Sequence, residues 1–242
     1  MKKSIISLLL LLSPFLSQSE ILQSGQYQPL VIALYTSQGC SSCPPADEWL
    51  SKYAEDSKLW TGVFPLAFHV TYWNYLGWHD RFSNQQFNRR QYDHLNMLNI
   101  NQVFTPQSLV NGKEWRHWYS SGWSSATLPN TEKFKTGVLT VNLSNQHLTA
   151  CYSKQLNNET KLNFAWVASG YKTKVSAGEN EGRILNNPFV VLSMQTYLLK
   201  EDKFSGDIPT KPNAEKNIRL AKVIWLENQG KPIQAVGKWE TR

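Results

Sequence analysis

Cys40-Ser41-Ser42-Cys43 stands just past an apolar run, Pro29 to Tyr35, and just before a stretch whose apolar residues recur at helical spacing. No other feature restricts the local fold as much. A short apolar run without alternation is the pattern of a strand buried on both faces. Thr36 to Gly39 interrupts it. Beyond Pro44 and Pro45, the residues Ala46, Trp49, Leu50, Tyr53 and Ala54 share one helical face. The reading is strand, loop, C-x-x-C, helix. A second buried run, Val63 to Val70, supplies the parallel partner of a β-α-β unit with a right-handed crossover.

Residues 71–82 fit neither strand nor helix periodicity and read as an aromatic loop. Ser83 and Gln86 have the form of a capping box, which predicts a helix with Phe87, Gln91, Leu95 and Leu98 on one face. The run Val103 to Val110, then Asn111-Gly112, then Lys113 to Trp118 predicts a hairpin, because Asn-Gly accepts the positive φ angles of a tight turn. Pro106 fits a strand start or edge there. From Gly137 the pattern changes to short alternating runs, at residues 139–143, 148–152 and 164–168, with further runs at 189–199, 218–226 and 233–239. These predict a mainly-β, sandwich-like unit over residues 137–242, joined through a linker at roughly residues 120–136 to a unit spanning 29–120.

Residues 1–19 combine Lys2 and Lys3, an apolar stretch from Ile5 to Leu12, and small residues at Ser17 and Ser19. That is the pattern of a secretory leader; the competing reading is an uncleaved anchor. No later stretch is apolar for the length a membrane span needs, so the expectation is a periplasmic or secreted protein with no span once the leader is removed. The formal net charge is +7, two lysines of it in the leader, and the basic residues are scattered, with Arg89-Arg90 the densest pair. Nothing resembles a nucleic-acid patch. Three cysteines are too few for a disulfide scaffold, and Cys151, in an expected strand, reads as a small buried apolar residue.

A C-x-x-C at a helix start puts the first sulfur near free N–H groups and the positive end of the helix dipole, which favours its thiolate. Cys40 is then the nucleophile, and Cys43, one turn deeper, resolves the mixed disulfide. The motif alone has three uses: a redox couple, half a metal site, or an inert staple. No second C-x-x-C completes a four-cysteine zinc site, and the position after a buried strand favours redox. His69 could join Cys40 and Cys43 as a copper ligand, pass a proton to Cys43, or be an ordinary core histidine. Seven of the ten tryptophans lie between residues 49 and 123. Among the aromatics there, Tyr72, Trp73, Tyr75 and Trp78 could line a groove for a client or pack as a lid. Glu179 and Arg183, in the string Gly178 to Arg183, could recognise a partner or brace a turn. No Ser/His/Asp triad, nucleotide loop or carboxylate pair is present.

Thr105-Pro106 before a strand, an Asn-Gly hairpin and a C-x-x-C after the first strand together resemble thioredoxin-like proteins. The resemblance implies a cis Thr105–Pro106 bond against the cysteine pair, with the Thr105 backbone offered to an extended client and Pro106 shielding the sulfurs; the competing reading is an ordinary trans proline. More narrowly, Thr36 to Asp47 (TSQGCSSCPPAD), Ala67 to Val70 and Tyr72 to Trp78 resemble a secreted bacterial thioredoxin-like family of unknown function, over residues 30–112, and Gly178 to Arg183 also resembles its members. Where that family commonly carries acidic residues, this chain has Thr71 and Asn74. The resemblance implies an α/β thioredoxin-like N-terminal domain followed by a mainly-β C-terminal one. The function expected is that of an extracytoplasmic thiol–disulfide oxidoreductase or redox-active client binder acting on a protein or small thiol or disulfide. Cys40 and Cys43 would do the chemistry, Thr105, Pro106, Trp73 and Trp78 would place the client, and no cofactor or metal is needed. The alternatives are a copper carrier using Cys40, Cys43 and His69, and a non-catalytic interaction module. The two serines between the cysteines do not set the direction of electron flow.

Overall fold

The computed structural model describes residues 19–123, 127–130, 134–200 and 203–241. Apart from Ser19, the expected leader lies outside them, as do residues 124–126 and 131–133 of the expected linker.

Strand β1 (Glu20–Gln23) is followed by β2 (Leu30–Thr36), helix α1 (Pro44–Ser51), a 3₁₀ turn at Lys52–Glu55 and β3 (Val63–His69). β2 and β3 run parallel, with Leu30 opposite Val63 and Thr36 opposite His69, and both are buried almost throughout, as unbroken apolar runs require. α1 crosses between them and buries Ala46, Trp49 and Leu50. Pro44 and Pro45 take the first two helical positions, where an intrahelical N–H bond is not needed. The Ala46 N–H reaches the Cys43 carbonyl at 2.9 Å, a tight 3₁₀-type start.

Helix α2 (Gln85–Asn96) begins after Asn84, whose Oδ1 accepts the Gln86 N–H at 2.8 Å, one residue beyond the Ser83 start expected. Phe87, Gln91 and His94 face inward; Leu98 lies past the helix end, at positive φ, and is exposed. The Asn-Gly hairpin forms as expected between β4 (Gln107–Val110) and β5 (Lys113–Glu114), with φ of 49° at Asn111 and 76° at Gly112. A Cβ on Gly112 would run into the Gly230 carbonyl. The short helix α3 (Trp118–Ser121) follows.

The second half consists of β6 (Leu139–Ser144), β7 (His147–Tyr152), β8 (Lys161–Ser169), β9 (Tyr171–Lys174), β10 (Ile184–Asn187), β11 (Val190–Leu198), β12 (Phe204–Asp207), β13 (Arg219–Asn228) and β14 (Lys231–Trp239). Eight strands form one sheet in the order β14-β13-β8-β11-β3-β2-β4-β5. Four more form a second sheet, β1-β6-β7-β12, and β9 and β10 make a separate ribbon.

This order corrects the expectation of an α/β thioredoxin-like domain followed by a mainly-β domain. The protein is mostly β, and the strands flanking the C-x-x-C are half of a sheet whose other half comes from beyond residue 160. The joint is narrow: β3 and β11 run parallel with Ala67 opposite Val190, and the Ala67 N–H reaches the Phe189 carbonyl at 2.8 Å. Physically, β3 presents an open edge on the side away from β2, an apolar strand edge must be covered, and β11 covers it. One core accordingly runs from Ile32, Phe64 and Phe68 to Val167, Val223 and Trp225.

Alternation along β8 splits its side chains between two cores. Leu162, Phe164 and Trp166 meet Leu139, Leu148 and Phe204 of the four-stranded sheet, whereas Ala165 and Val167 face the first core. β1 adds to that second sheet by pairing Leu22 with Val141 and forms one of its edges. Cys151 is exposed on β7 and not buried as expected, because Leu148 and Ala150 hold the inward positions of that strand. A buried fork ties the two halves: Arg90 Nη1 and Nη2 of α2 donate to Glu227 of β13 at 3.0 and 2.6 Å. Among the described residues no helix is long and apolar enough to cross a membrane.

Candidate functional site

Cys40 and Cys43 are joined as a disulfide with Cα atoms 5.4 Å apart, a separation that suits the bond. Cys43 caps α1, and its N–H reaches the Cys40 carbonyl at 3.2 Å. Both cysteines are 0% exposed, although Ser41 and Ser42 between them lie at the surface. The Ser42 hydroxyl sits 3.4 Å from the Cys40 sulfur.

Under the disulfide lies a buried polar network. Asp47 stands one helical turn after Cys43, and its Oδ2 accepts the Thr36 hydroxyl at 3.1 Å while Oδ1 has no partner among the described residues. Burial pushes this carboxyl up to about 7, against the opposing pull of His69 and the Thr36 bond. Thr36 and His69 are register partners on adjacent parallel strands, so their side chains leave the sheet on one face. His69 Nδ1 lies 2.7 Å from Asp80 Oδ2, and its Nε2 is unpartnered. Burial opposes charge on His69, but the Asp80 carboxylate, with Asp47 behind it, holds the imidazole above its ordinary value. Burial likewise opposes charge on Asp80, yet His69 and the N–H groups of Gln38 and Phe82 keep it below the usual carboxylate range.

Gln38 connects this network to the ribbon. Its Nε2 donates to Thr173 Oγ1 at 3.0 Å and Asn187 Oδ1 at 2.9 Å, and its Oε1 accepts Trp78 Nε1 at 3.0 Å. From the turn between β9 and β10, Asn180 Nδ2 donates to the carbonyls of Gln38 and Cys40, both at 2.9 Å. Glu179 Oε2 accepts the Ser41 N–H at 2.9 Å, and that bond holds the Glu179 carboxyl below its ordinary value.

The expected client-binding residues are brought to the same place. Trp73 Nε1 donates to Thr105 Oγ1 at 2.6 Å, and a Cβ on Gly39 would lie 3.1 Å from the Trp73 Cβ. Thr105–Pro106 is cis, with Pro106 buried and Thr105 partly so. Trp73 and Trp78 are thus half-buried and tied down by their indole N–H groups, whereas Tyr75 is 78% exposed. Thr71 pairs with Asn88, and Asn74 with Ser83 and the Asp80 backbone, so the two neutral residues that depart from the resembled family's pattern are engaged in hydrogen bonds. Among the described residues no three His, Cys, Asp or Glu side chains gather as a metal-holding group, and of the His69 nitrogens Nδ1 is engaged by Asp80. Sequence reasoning missed Asp47, Asp80, Gln38 and Asn180. The Cys43-to-Asp47 helical spacing and the Gly178 to Arg183 string were the available signals.

The model of the family described as "Protein of unknown function (DUF1223)" matches residues 31–227. The chain belongs to the DUF1223 family. Among solved structures, this DUF1223 protein is similar to the X-ray crystal structure of protein AGR_C_4864 from Agrobacterium tumefaciens, at 22% identity and a TM-score of 0.56, over 90% of this chain and 98% of that one. It is also similar to HBP35 of Porphyromonas gingivalis, at 12% identity and a TM-score of 0.50, over 90% of this chain and 76% of that one. Both likenesses concern the fold alone. No curated protein matches the chain.

Proposed function

We propose that this DUF1223 protein exchanges disulfides with a thiol-bearing client through Cys40 and Cys43, outside the cytoplasm, where a disulfide persists. The observation that carries the reading is the pairing of a disulfide at a helix start with an incompletely satisfied acid–base network one turn below it. Structural polar networks are ordinarily completed. The atoms left over here, Asp47 Oδ1 and His69 Nε2, are suited to hold a proton.

In the reducing half-reaction a client thiolate attacks the Cys40 sulfur. The Cys40–Cys43 bond breaks, a client–Cys40 mixed disulfide forms, and Cys43 leaves as a thiolate that takes a proton from Asp47. The client's second thiol, after losing its proton to solvent, attacks its own sulfur in the mixed disulfide and releases Cys40. The client has been oxidised by two electrons, and the protein holds two reduced cysteines. The reverse sequence carries electrons the other way, and the relative potentials of the two couples set the direction. In this reading Thr105 and Pro106, with Trp73 bonded to Thr105, would receive an extended client segment, and Trp78 would steady Gln38 beside Cys40.

A second reading, an inert staple in an interaction module, is favoured by the complete burial of both sulfurs. A redox titration of the folded protein, followed by the fluorescence of Trp49 and Trp73 and by thiol capture, separates the two. Reversible titration within the range of catalytic couples supports exchange. A bond that resists mild dithiol and unfolds the chain when broken supports the staple.

A further inference from the structure

Burial of both sulfurs beside two exposed serines means that something closes the loop over them. The closing group comes from 138 residues further along the chain, in the turn joining β9 to β10. Asn180 clamps the carbonyls of Gln38 and Cys40, and Glu179 takes the N–H of Ser41. Arg183 Nη1 donates to Asn180 Oδ1 at 2.7 Å, which fixes the amide so that its NH₂ faces the two carbonyls. Two glycines of this string have positive φ, Gly178 at its start at 75° and Gly182 just before Arg183 at 80°, and no heavy atom lies within 4 Å of a Cβ placed on Gly182.

The turn is mounted on a ribbon that pairs with no other strand among the described residues. A two-stranded ribbon is marginal by itself, and such elements open at lower cost than ladder strands. Gln38 anchors the ribbon through Thr173 and Asn187, and Gly178 lies close against Leu76 and Trp78, so it is through Glu179 and Asn180 that the rest of the turn holds the cysteine loop. Glu179 also acts electrostatically. The Ser41 N–H is the amide next to Cys40, the kind of donor that stabilises a thiolate. A carboxylate on that amide takes the donor and adds a like charge. Other ionisable groups on the elements around the loop include Glu181 and Arg183 on the turn, Asp47 and Glu48 on α1, His69 on β3 and Asp80 beyond it.

We propose that Glu179 and Asn180 are positioning residues of the redox site, a strap from the second half of the chain that shuts the Ser41–Ser42 loop over the disulfide and restrains Cys40. This inference rests on the exchange reading above, and the test keeps the two distinguishable. Three full-chain variants are compared with the parent: Asn180→Ala, Glu179→Ala, and Glu179→Gln, which keeps an acceptor for the Ser41 N–H but removes the charge. Two quantities are read, the rate at which dithiothreitol reduces the folded protein, and the pH profile of Cys40 alkylation by iodoacetamide after reduction, resolved by peptide mass.

Asn180→Ala and Glu179→Ala are expected to be reduced on the order of tenfold faster, the effect of losing about one hydrogen bond's worth of closure. Glu179→Gln is expected to keep the parent reduction rate within about twofold, while its Cys40 profile moves about one pH unit lower; Asn180→Ala leaves that profile in place. A merely structural role would move thermal stability without moving the profile. If the parent exchanges normally and all three variants match it in both measurements, the strap is passive and the exchange reading stands. If neither parent nor variants exchange, both readings fall.

Discussion

The surroundings of the disulfide and the sandwich of the second half bury different kinds of matter. Between the two sheets the interior is apolar, with Leu139, Leu148, Phe164, Phe204, Ile224 and Leu226 as representative members. Around the disulfide, Thr36, Gln38, Asp47, His69, Asp80 and Asn180 are all buried. An apolar interior is held by non-directional burial and needs only volume and shape. A polar interior must account for each donor and acceptor, and an unmatched one is costly. Among the described residues, unmatched buried polar atoms also occur away from the disulfide, at Arg90 Nε and Asn163 Nδ2 for example; what sets Asp47 and His69 apart is that both are ionisable and lie in one network beside the cysteine pair.

The comparison breaks most visibly in the apolar region. Phe164→Ala should cost about 3–5 kcal/mol, read as a lowered denaturation midpoint, while the rate of disulfide reduction in the folded protein stays at the parent value. A coupled change in that rate would mean the two regions are not energetically separate. Arg90→Met, which strands the buried Glu227 charge, should cost roughly 3 kcal/mol at neutral pH. Burial alone would raise Glu227, but Arg90 holds it down at about 2. Its contribution is therefore present above the ordinary glutamate value and lost as pH falls through about 2, and the variant should lack that acid-side transition.

Asp47→Asn sharpens the comparison with a smaller effect of opposite sign. A carboxyl raised to about 7 binds a proton more tightly in the folded chain than in the unfolded one. Its contribution is complete below about pH 4 and lost as pH rises through about 7. Thermal melts between pH 4 and pH 8 should show the parent losing roughly 1–3 kcal/mol relative to Asp47→Asn, and parallel curves would mean the carboxyl titrates normally. Smallest of all, Tyr75→Ala should change stability by less than about 0.5 kcal/mol, since its side chain is exposed; slower exchange with a peptide client would mark the aromatic loop as a contact surface.

Features set by neighbours in sequence were readable beforehand. The β2-α1-β3 unit, the Asn111-Gly112 hairpin and the alternating strands from residue 139 onward each follow from periodicity or from a turn's demand for positive φ. Asn84 displaced Ser83 as the cap of α2 because either side chain can satisfy the same N–H group. The inward or outward sense of β7, and with it the exposure of Cys151, depended on which face the second sheet would cover. A strand's alternation states that two faces differ without naming what lies opposite.

Sequence by itself determined the strand–loop–helix setting of the cysteine pair and the distribution of apolar residues that makes these strands worth burying. Tertiary structure decided that β3 would be joined to β11 in one sheet, that both sulfurs would be buried, and that Glu179 and Asn180 would bond the backbone of the cysteine loop. The physical reason is separation along the chain. Local hydrogen bonds and side-chain period act within a few residues. Ala67 meeting Val190, or Ser41 meeting Glu179, requires closing a loop of more than a hundred residues, and what decides such a pairing is which edges and amides the rest of the fold leaves open.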